Sequence, residues 1–244
     1  ITAINSDIHI STMLTVEGDA SEGRCVLPTK LICDTFRQLK GEVCDVTYNE
    51  DNYAGEVRSS HGVYNFLGRE DVDDFPTFRS VDNTSPNYHA VKVNPKRLSD
   101  GLSTAVKYSC EDEMKPTMCS VLMEFEPMSL MFVATDAHRI CTQSYTTDDD
   151  IQFSVLVPKA SIDTITSTLK DCDGLVAIES DDDRVEFTAD KYVVTTRCVE
   201  GHFPNYRLFL PKCDNSPIIV NRNALLSAVL RCKPFSDEST NIMR

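Results

Sequence analysis

The sequence has no Cys-x-x-Cys pair, no apolar run long enough to cross a bilayer as a helix, and too few cations to balance its acids. Each shortage narrows what the chain can be. Zinc sites need closely spaced ligand pairs and disulfide frameworks belong mainly to small secreted chains, so most of the ten scattered cysteines read as reduced, buried small hydrophobes. Without a long apolar run there is no helical membrane span, and no charged-then-apolar segment opens the chain, so the expected compartment is the cytoplasm. No nucleotide-binding, metal-binding or nucleophilic motif with a defined mechanical role is present, and neither a cofactor nor a metal is expected. With 24 Lys and Arg against 38 Asp and Glu, the formal charge of −14 argues at first sight against a polyanionic partner.

What the chain does contain is a repeat. Val26-Leu27-Pro28-Thr29-Lys30-Leu31, Val93-Asn94-Pro95-Lys96-Arg97-Leu98, Val157-Pro158-Lys159-Ala160-Ser161-Ile162 and Val220-Asn221-Arg222-Asn223-Ala224-Leu225 share one pattern. An apolar stretch is followed by Pro or Asn, then basic residues, then apolar residues at helical spacing. The anchors fall at positions 28, 95, 158 and 222, a nearly even interval that points to a repeated supersecondary unit stacked on its neighbours. Pro in a first helical turn costs no hydrogen bond, and Asn94 and Asn221 suit N-caps. Helices are therefore expected at 28–40, 94–110, 158–170 and 222–233. Their apolar stripes are Leu31, Phe36 and Leu39; Leu98, Leu102 and Val106; Ile162, Ile165 and Leu169; and Leu225, Leu226, Val229 and Leu230.

Charge sorts with this pattern. The four helical segments carry +2, +2, +1 and +3, leaving −22 for everything else, and acid collects at Asp71 to Asp74, Asp148 to Asp150 and Asp181 to Asp183. A single basic helix face is usually just solvated. Four equivalent ones sharing a sign form a surface able to hold a phosphate backbone without reading sequence. Strands are expected at Ile1 to Ile4, Val43 to Tyr48, Gly62 to Phe66, Val121 to Phe125, Leu130 to Ala134, Leu175 to Ile178, Val185 to Thr188 and Tyr192 to Thr196. One helix with several antiparallel strands per unit is an α+β architecture of repeated half-domains. Because the sequence begins inside an expected strand and stops just after a helix, it is expected to be a piece of a longer polypeptide.

Two strings, taken with the repeat, resemble a known family. Val133-Ala134-Thr135-Asp136-Ala137-His138-Arg139-Ile140 is similar to a Val-Ala-Thr-Asp-Gly-His-Arg-Leu segment of the bacterial DNA polymerase III β subunit, the sliding clamp. Gly201-His202-Phe203-Pro204-Asn205-Tyr206, followed by Pro211, is similar to its Gly-x-Phe-Pro-x-Tyr-x-x-x-x-Pro. Val155 to Lys159 fits the strand-to-helix segment between them, and Asp74-Phe75-Pro76 sits where that family closes its first domain. Three departures stand out: Ala137 in place of Gly, a 60–66 stretch without the Arg that many relatives carry, and Ala160 where a second basic residue is frequent.

The resemblance implies the DNA clamp fold, with residues 1–85 as part of clamp domain I, 86–212 as domain II and 213–244 as the start of domain III. It implies a head-to-tail homodimeric ring around duplex DNA that tethers the polymerase α subunit, the clamp loader and other proteins carrying a clamp-binding motif. Lys30, Arg37, Lys96, Arg97, Lys107, Lys159, Lys170, Arg222, Arg231 and Lys233 are then the residues facing DNA. Met118, Thr135, Ala137, His138, Arg139, Ile140, Pro204, Leu208 and Phe209 form a pocket for partner peptides. Phe36, Tyr64, Phe66 and Phe235 are the expected dimer contacts.

Two other functions compete. An enzyme could use His138 with Asp136 and Cys119 or Cys141, or a metal at Asp181 to Asp183, but catalysis needs hydrogen-bond reach, which adjacency in sequence does not provide. A clamp-like paralogue could bind partner peptides as a scaffold without encircling DNA.

Overall fold

The computed structural model describes residues 1–18, 21–70, 72–170, 172–211 and 218–236. They fall into two compact units, Ile1–Pro204 and Asn205–Arg244. The expected boundary between residues 212 and 213 lies outside the described residues, as do Asp71 and Cys213.

The first unit is organised by one motif used twice. Strand β6 (His89–Val93) leads into helix α2 (Pro95–Ala105) and strands β7 (Ser120–Glu126), β8 (Ser129–Thr135) and β9 (Ile140–Thr146). Strand β10 (Phe153–Pro158) then leads into α3 (Lys159–Thr168), β11 (Val176–Ser180), β12 (Arg184–Ala189) and β13 (Tyr192–Arg197). Each copy gives its first strand to the other: β10 pairs with β7, and β6 pairs with β11. The exchange makes the two copies interdependent, so neither sheet is complete without the other half.

The preceding residues supply β1 (Thr2–Ile4), β2 (Ile8–Thr12), α1 (Thr29–Gln38), β3 (Asp45–Asn49), β4 (Ala54–Ser59) and β5 (Gly62–Leu67). Three sheets result among the described residues, ordered β1-β2-β13-β12-β11-β6, β10-β7-β8-β9 and β3-β4-β5. The antiparallel pairing of β2 with β13 runs one sheet continuously from the N-terminal segment into the doubled motif. In the second unit, α4 (Arg222–Cys232) repeats the helix-start pattern.

All four anchors begin helices. Asn94 accepts from the backbone N–H groups of Lys96 and Arg97, with Pro95 in the first turn, and Asn221 accepts from Ala224. Helices α2 and α3 pack against each other over the sheets. Leu98, Leu102, Ala105, Ile162 and Ile165 meet Phe125, Phe132, Ile178 and Phe187 in one core. Gly101 is required there, because a Cβ would overlap the Phe132 ring. Helix α1 carries a comparable stripe yet buries no residue: Leu31 and Phe36 are half exposed, and Leu31 lines an open groove with Leu39 and Tyr64.

Strands β2, β4, β6 and β9 lie outside the sequence expectations, and β10 enters them only through the resemblance. Ala54-Gly55-Glu56-Val57-Arg58-Ser59 has weak strand propensity and is a strand because it is central, paired on both sides. Two expected starts shift inward, since Val43 and Leu175 are exposed ahead of β3 and β11.

Candidate nucleic-acid interface and peptide pocket

The expected DNA-facing cations divide into two groups. Lys30, Lys96, Lys107, Lys170, Arg231 and Lys233 are exposed, and their side chains make no hydrogen bond or ion pair among the described residues. They project from the ends and outer faces of helices whose opposite faces, in α2 and α3, are buried. The remaining four are engaged. Arg37 bonds Asp34 at 2.8 Å on its own helix, Arg97 donates to the Thr146 carbonyl at 2.7 Å, Arg222 touches Asn223 at 3.2 Å, and Lys159 pairs with Glu111. An Arg held by a carbonyl keeps its charge but loses reach. Sequence reasoning could not see this for Arg97 and Lys159, because Thr146 and Glu111 come from distant strands and turns.

The 135–140 turn is tightly determined. Asp136 Oδ1 accepts from the backbone N–H groups of His138 and Arg139 at 3.0 Å each, and Oδ2 accepts from Arg139 Nε at 2.9 Å. Thr135 Oγ1 donates to the Arg139 carbonyl at 2.8 Å and accepts from Ala137 N. The Arg139 guanidinium lies 5.1 Å from the Tyr108 ring and donates to the Lys107 carbonyl, which ties the turn to the end of α2. The hydrogen bond from the Arg139 side chain, helped by the two backbone N–H groups, holds the Asp136 carboxyl down at about 2. Ala137 sits at φ +74°, a left-handed conformation that favours Gly.

Antiparallel pairing of β7 with β8 brings Met118, just ahead of β7, to the same end of the sheet as this turn. Met118 is partly buried, and the segment around it is fixed by Cys110 N donating to the Met118 carbonyl. Gly201, at φ +118°, comes close to Thr117, and Val199 bonds Leu156, so the segment leading to Pro204 runs along the same strands. Ala137, His138 and Arg139 are exposed, Ile140 is partly buried and Thr135 is buried. The first unit therefore holds Met118, Thr135, Ala137, His138, Arg139, Ile140 and Pro204 of the expected pocket. Leu208 and Phe209 belong to the second unit, where both are largely exposed around a 3-10 turn at Tyr206–Leu208.

Of the expected dimer contacts, Phe66 is buried, its ring folding over Gly55 and packing with Leu39 and Val57, whereas Phe36, Tyr64 and Phe235 are exposed. Asp181 does not face solvent. Its carboxylate is wholly buried and accepts from the backbone N–H groups of Asp82, Asp183 and Arg184 at 2.7, 3.1 and 2.9 Å. The triad reading also fails, since Asp136 is consumed by Arg139 and the His138 imidazole bonds no carboxylate or thiol among the described residues. Those residues contain no cluster of three potential metal ligands, their nine cysteines are free, and no helix is long and apolar enough to cross a membrane.

Comparison with known proteins agrees with the doubled motif. Residues 94–205 match the family described as DNA polymerase III beta subunit, central domain. The beta sliding clamp of Synechococcus elongatus is 26% identical over 249 residues, covering 100% of this chain and 64% of that protein. That of Bacillus subtilis is 24% identical, covering 98% and 64%. Among solved structures, a DNA polymerase III subunit beta from Pseudomonas aeruginosa bound to griselimycin superposes with a TM-score of 0.89 at 20% identity, covering 98% of this chain and 64% of that one. The Bacillus subtilis DNA polymerase sliding clamp gives 0.84 at 23%, covering 98% and 63%. The chain thus spans less than two thirds of the length of these relatives. Residues 94–205 match the central domain of the DNA polymerase III beta subunit, and the likeness to beta sliding clamps runs over the whole chain, which shares their fold.

Proposed function

We propose that this protein is a sliding clamp: a homodimeric ring that encircles duplex DNA without reading its sequence and tethers the polymerase III α subunit, the clamp loader and other motif-bearing proteins. The observation that carries the reading is the segregation of charge. In a chain of −14, exposed cations without a partner among the described residues collect on repeated helices, two of which turn their opposite faces into the core. Lysines on a smooth helical layer attract phosphates through counterion release and hold none in fixed geometry, which permits sliding. In this reading residues 1–85, 86–212 and 213–244 belong to successive clamp domains, and the protein acts in the cytoplasm as an accessory factor without catalytic residues or cofactor.

Met118, Thr135, residues 137–140 and Pro204 of the first unit read partner peptides, and Leu208 and Phe209 of the second unit are peptide contacts as well. Apolar side chains around a rigid turn suit an extended peptide anchored by buried Leu and Phe. Edge strands β5 and β9 each have one unpaired side among the described residues, which suits subunit or domain closure by strand pairing, with Phe36, Tyr64 and Phe235 at the joints. A scaffold that binds peptides without encircling DNA is the second reading, favoured by the internal engagement of Arg37, Arg97 and Lys159.

The test uses the polypeptide at its full natural length. It is loaded by a clamp loader onto nicked circular DNA, and its retention is measured before and after the circle is linearised. Retention on circles with loss from linear ends supports encirclement. Equal retention on both, or none on either with an active loader, refutes it.

A further inference from the structure

Three arginines converge where the N-terminal segment meets the doubled motif. Arg184 on β12 and Arg197 on β13 are directly opposite in the antiparallel register, an arrangement in which like charges repel. Arg79 approaches from the segment that follows Pro76. Together with Asn5, Ser6 and Thr77 they line a cavity of 460 Å³ whose wall, among the described residues, holds no carboxylate.

Arg184 is the expensive member. Its side chain is more than nine-tenths buried, and its Nε and Nη1 have no hydrogen-bond partner among the described residues. Leaving a buried cation so poorly satisfied costs far more than an exposed one. The neighbouring acids do not meet the need. Asp181 is spent on three backbone N–H groups and lies 3.7 Å from Arg79, and Asp82 takes Arg79 at 3.5 Å. Asp183 stays 3.7 Å from Arg184 Nε, beyond hydrogen-bond range. Phe78 covers a face of the guanidinium, 4.8 Å from its Cζ, and stacks on His9 at 5.2 Å, so the donors left over lie in the plane of the fork.

We propose that this cavity binds a phosphate group. A tetrahedral oxyanion between Arg184 and Arg197 cancels the cross-strand repulsion and meets the part of each guanidinium that lines the cavity, a group whose planar fork suits phosphate. Arg79 and Thr77 line the remaining sides, while the Ser6 hydroxyl donates to Asp7 at 2.8 Å. The volume exceeds that of free phosphate, so the group can arrive as inorganic phosphate or as the phosphomonoester of a nucleotide.

The experiment follows thermal unfolding of the protein in sodium phosphate, adenosine 5′-monophosphate, acetate and chloride at one ionic strength. It compares wild type with Arg197→Ser, an exposed position, with Arg184→Met, and with Arg58→Gln as a distant charge control. Phosphate at about 100 times its Kd is expected to raise the wild-type and Arg58→Gln midpoints by roughly 5 °C or more. Acetate and chloride are expected to do nothing, and Arg197→Ser to weaken the phosphate affinity tenfold or more. A larger rise with the nucleotide identifies a phosphomonoester ligand, and an equal one identifies free phosphate. The proposal is overturned if no phosphate-dependent rise occurs, if acetate matches phosphate, or if Arg197→Ser responds like wild type. Arg184→Met adds a second decision wherever it folds, and Arg197→Ser decides alone otherwise.

Discussion

Asp136→Asn isolates the charge that holds the 135–140 turn. Asparagine keeps an oxygen for the two backbone N–H groups at 3.0 Å and loses only the ion pair with Arg139 Nε at 2.9 Å. The carboxyl is held at about 2 against an ordinary 3.8, just under two pH units, which at about 1.36 kcal/mol each sets a ceiling of roughly 2.5 kcal/mol. The Arg139 side chain is 60% exposed, so water screens the pair and about 1–2 kcal/mol remains. The folded-state value lies below the unfolded one, so the stabilisation is complete above about pH 5 and is lost as pH falls toward 2. Urea unfolding of both proteins at pH 7, 5, 4 and 3 measures the gap. It should keep its full size down to pH 5, begin to narrow at pH 4 and be clearly smaller at pH 3. A gap that is the same at pH 7 and pH 3 refutes the assignment of the turn's stability to this charge. If Asp136→Asn also weakens binding of a clamp-motif peptide at pH 7, the turn's rigidity contributes to the pocket as well.

Ala137→Gly relieves a left-handed residue that costs a non-glycine about 1–2 kcal/mol, offset in part by the freer unfolded chain. A net gain of about 0.5–1 kcal/mol is expected as a higher urea midpoint. Gly101→Ala sets helix propensity, worth about 1 kcal/mol in its favour, against overlap with a fully buried Phe132 worth about 1–3 kcal/mol; the overlap wins and calorimetry should show a lower melting temperature. Converting both Lys96 and Lys107 to Gln should reduce the slope of log K against log salt for duplex DNA by about 0.9 for each phosphate no longer neutralised, and a slope equal to wild type removes both from the interface. Glu111→Gln frees Lys159 from its partner and should strengthen DNA binding at low salt in a filter or anisotropy assay.

The helices were legible because their signals are local. Proline and asparagine at 28, 94–95, 158 and 221 fix where each starts, and spacing of three and four fixes which face turns inward. The strands were legible only where their own composition argued for them. Ala54–Ser59 and Ile140–Thr146 are extended because neighbours pair with them, and no local reading of Ala-Gly-Glu-Val-Arg-Ser yields that. The exchange of first strands between the two halves was invisible for the same reason: it is a property of the register, not of any segment.

The same distinction separates what could and could not be read of the sites. The turn at 135–140 works through residues adjacent in sequence, so Asp136, Ala137 and Arg139 could be singled out as a string before their geometry was known. Among the cations the sequence supplies charge but not partners, and the structure removes reach from Arg97 through Thr146 and from Lys159 through Glu111. The arginine cavity is the extreme case. Arg184 and Arg197 are well separated in the sequence and look like two ordinary strand-end charges. Only antiparallel register sets them opposite each other, and only the approach of residues 76–79 from the N-terminal segment closes the wall. A function that depends on repulsion between residues has no sequence signature, because the cost that reveals it exists only once the chain has folded.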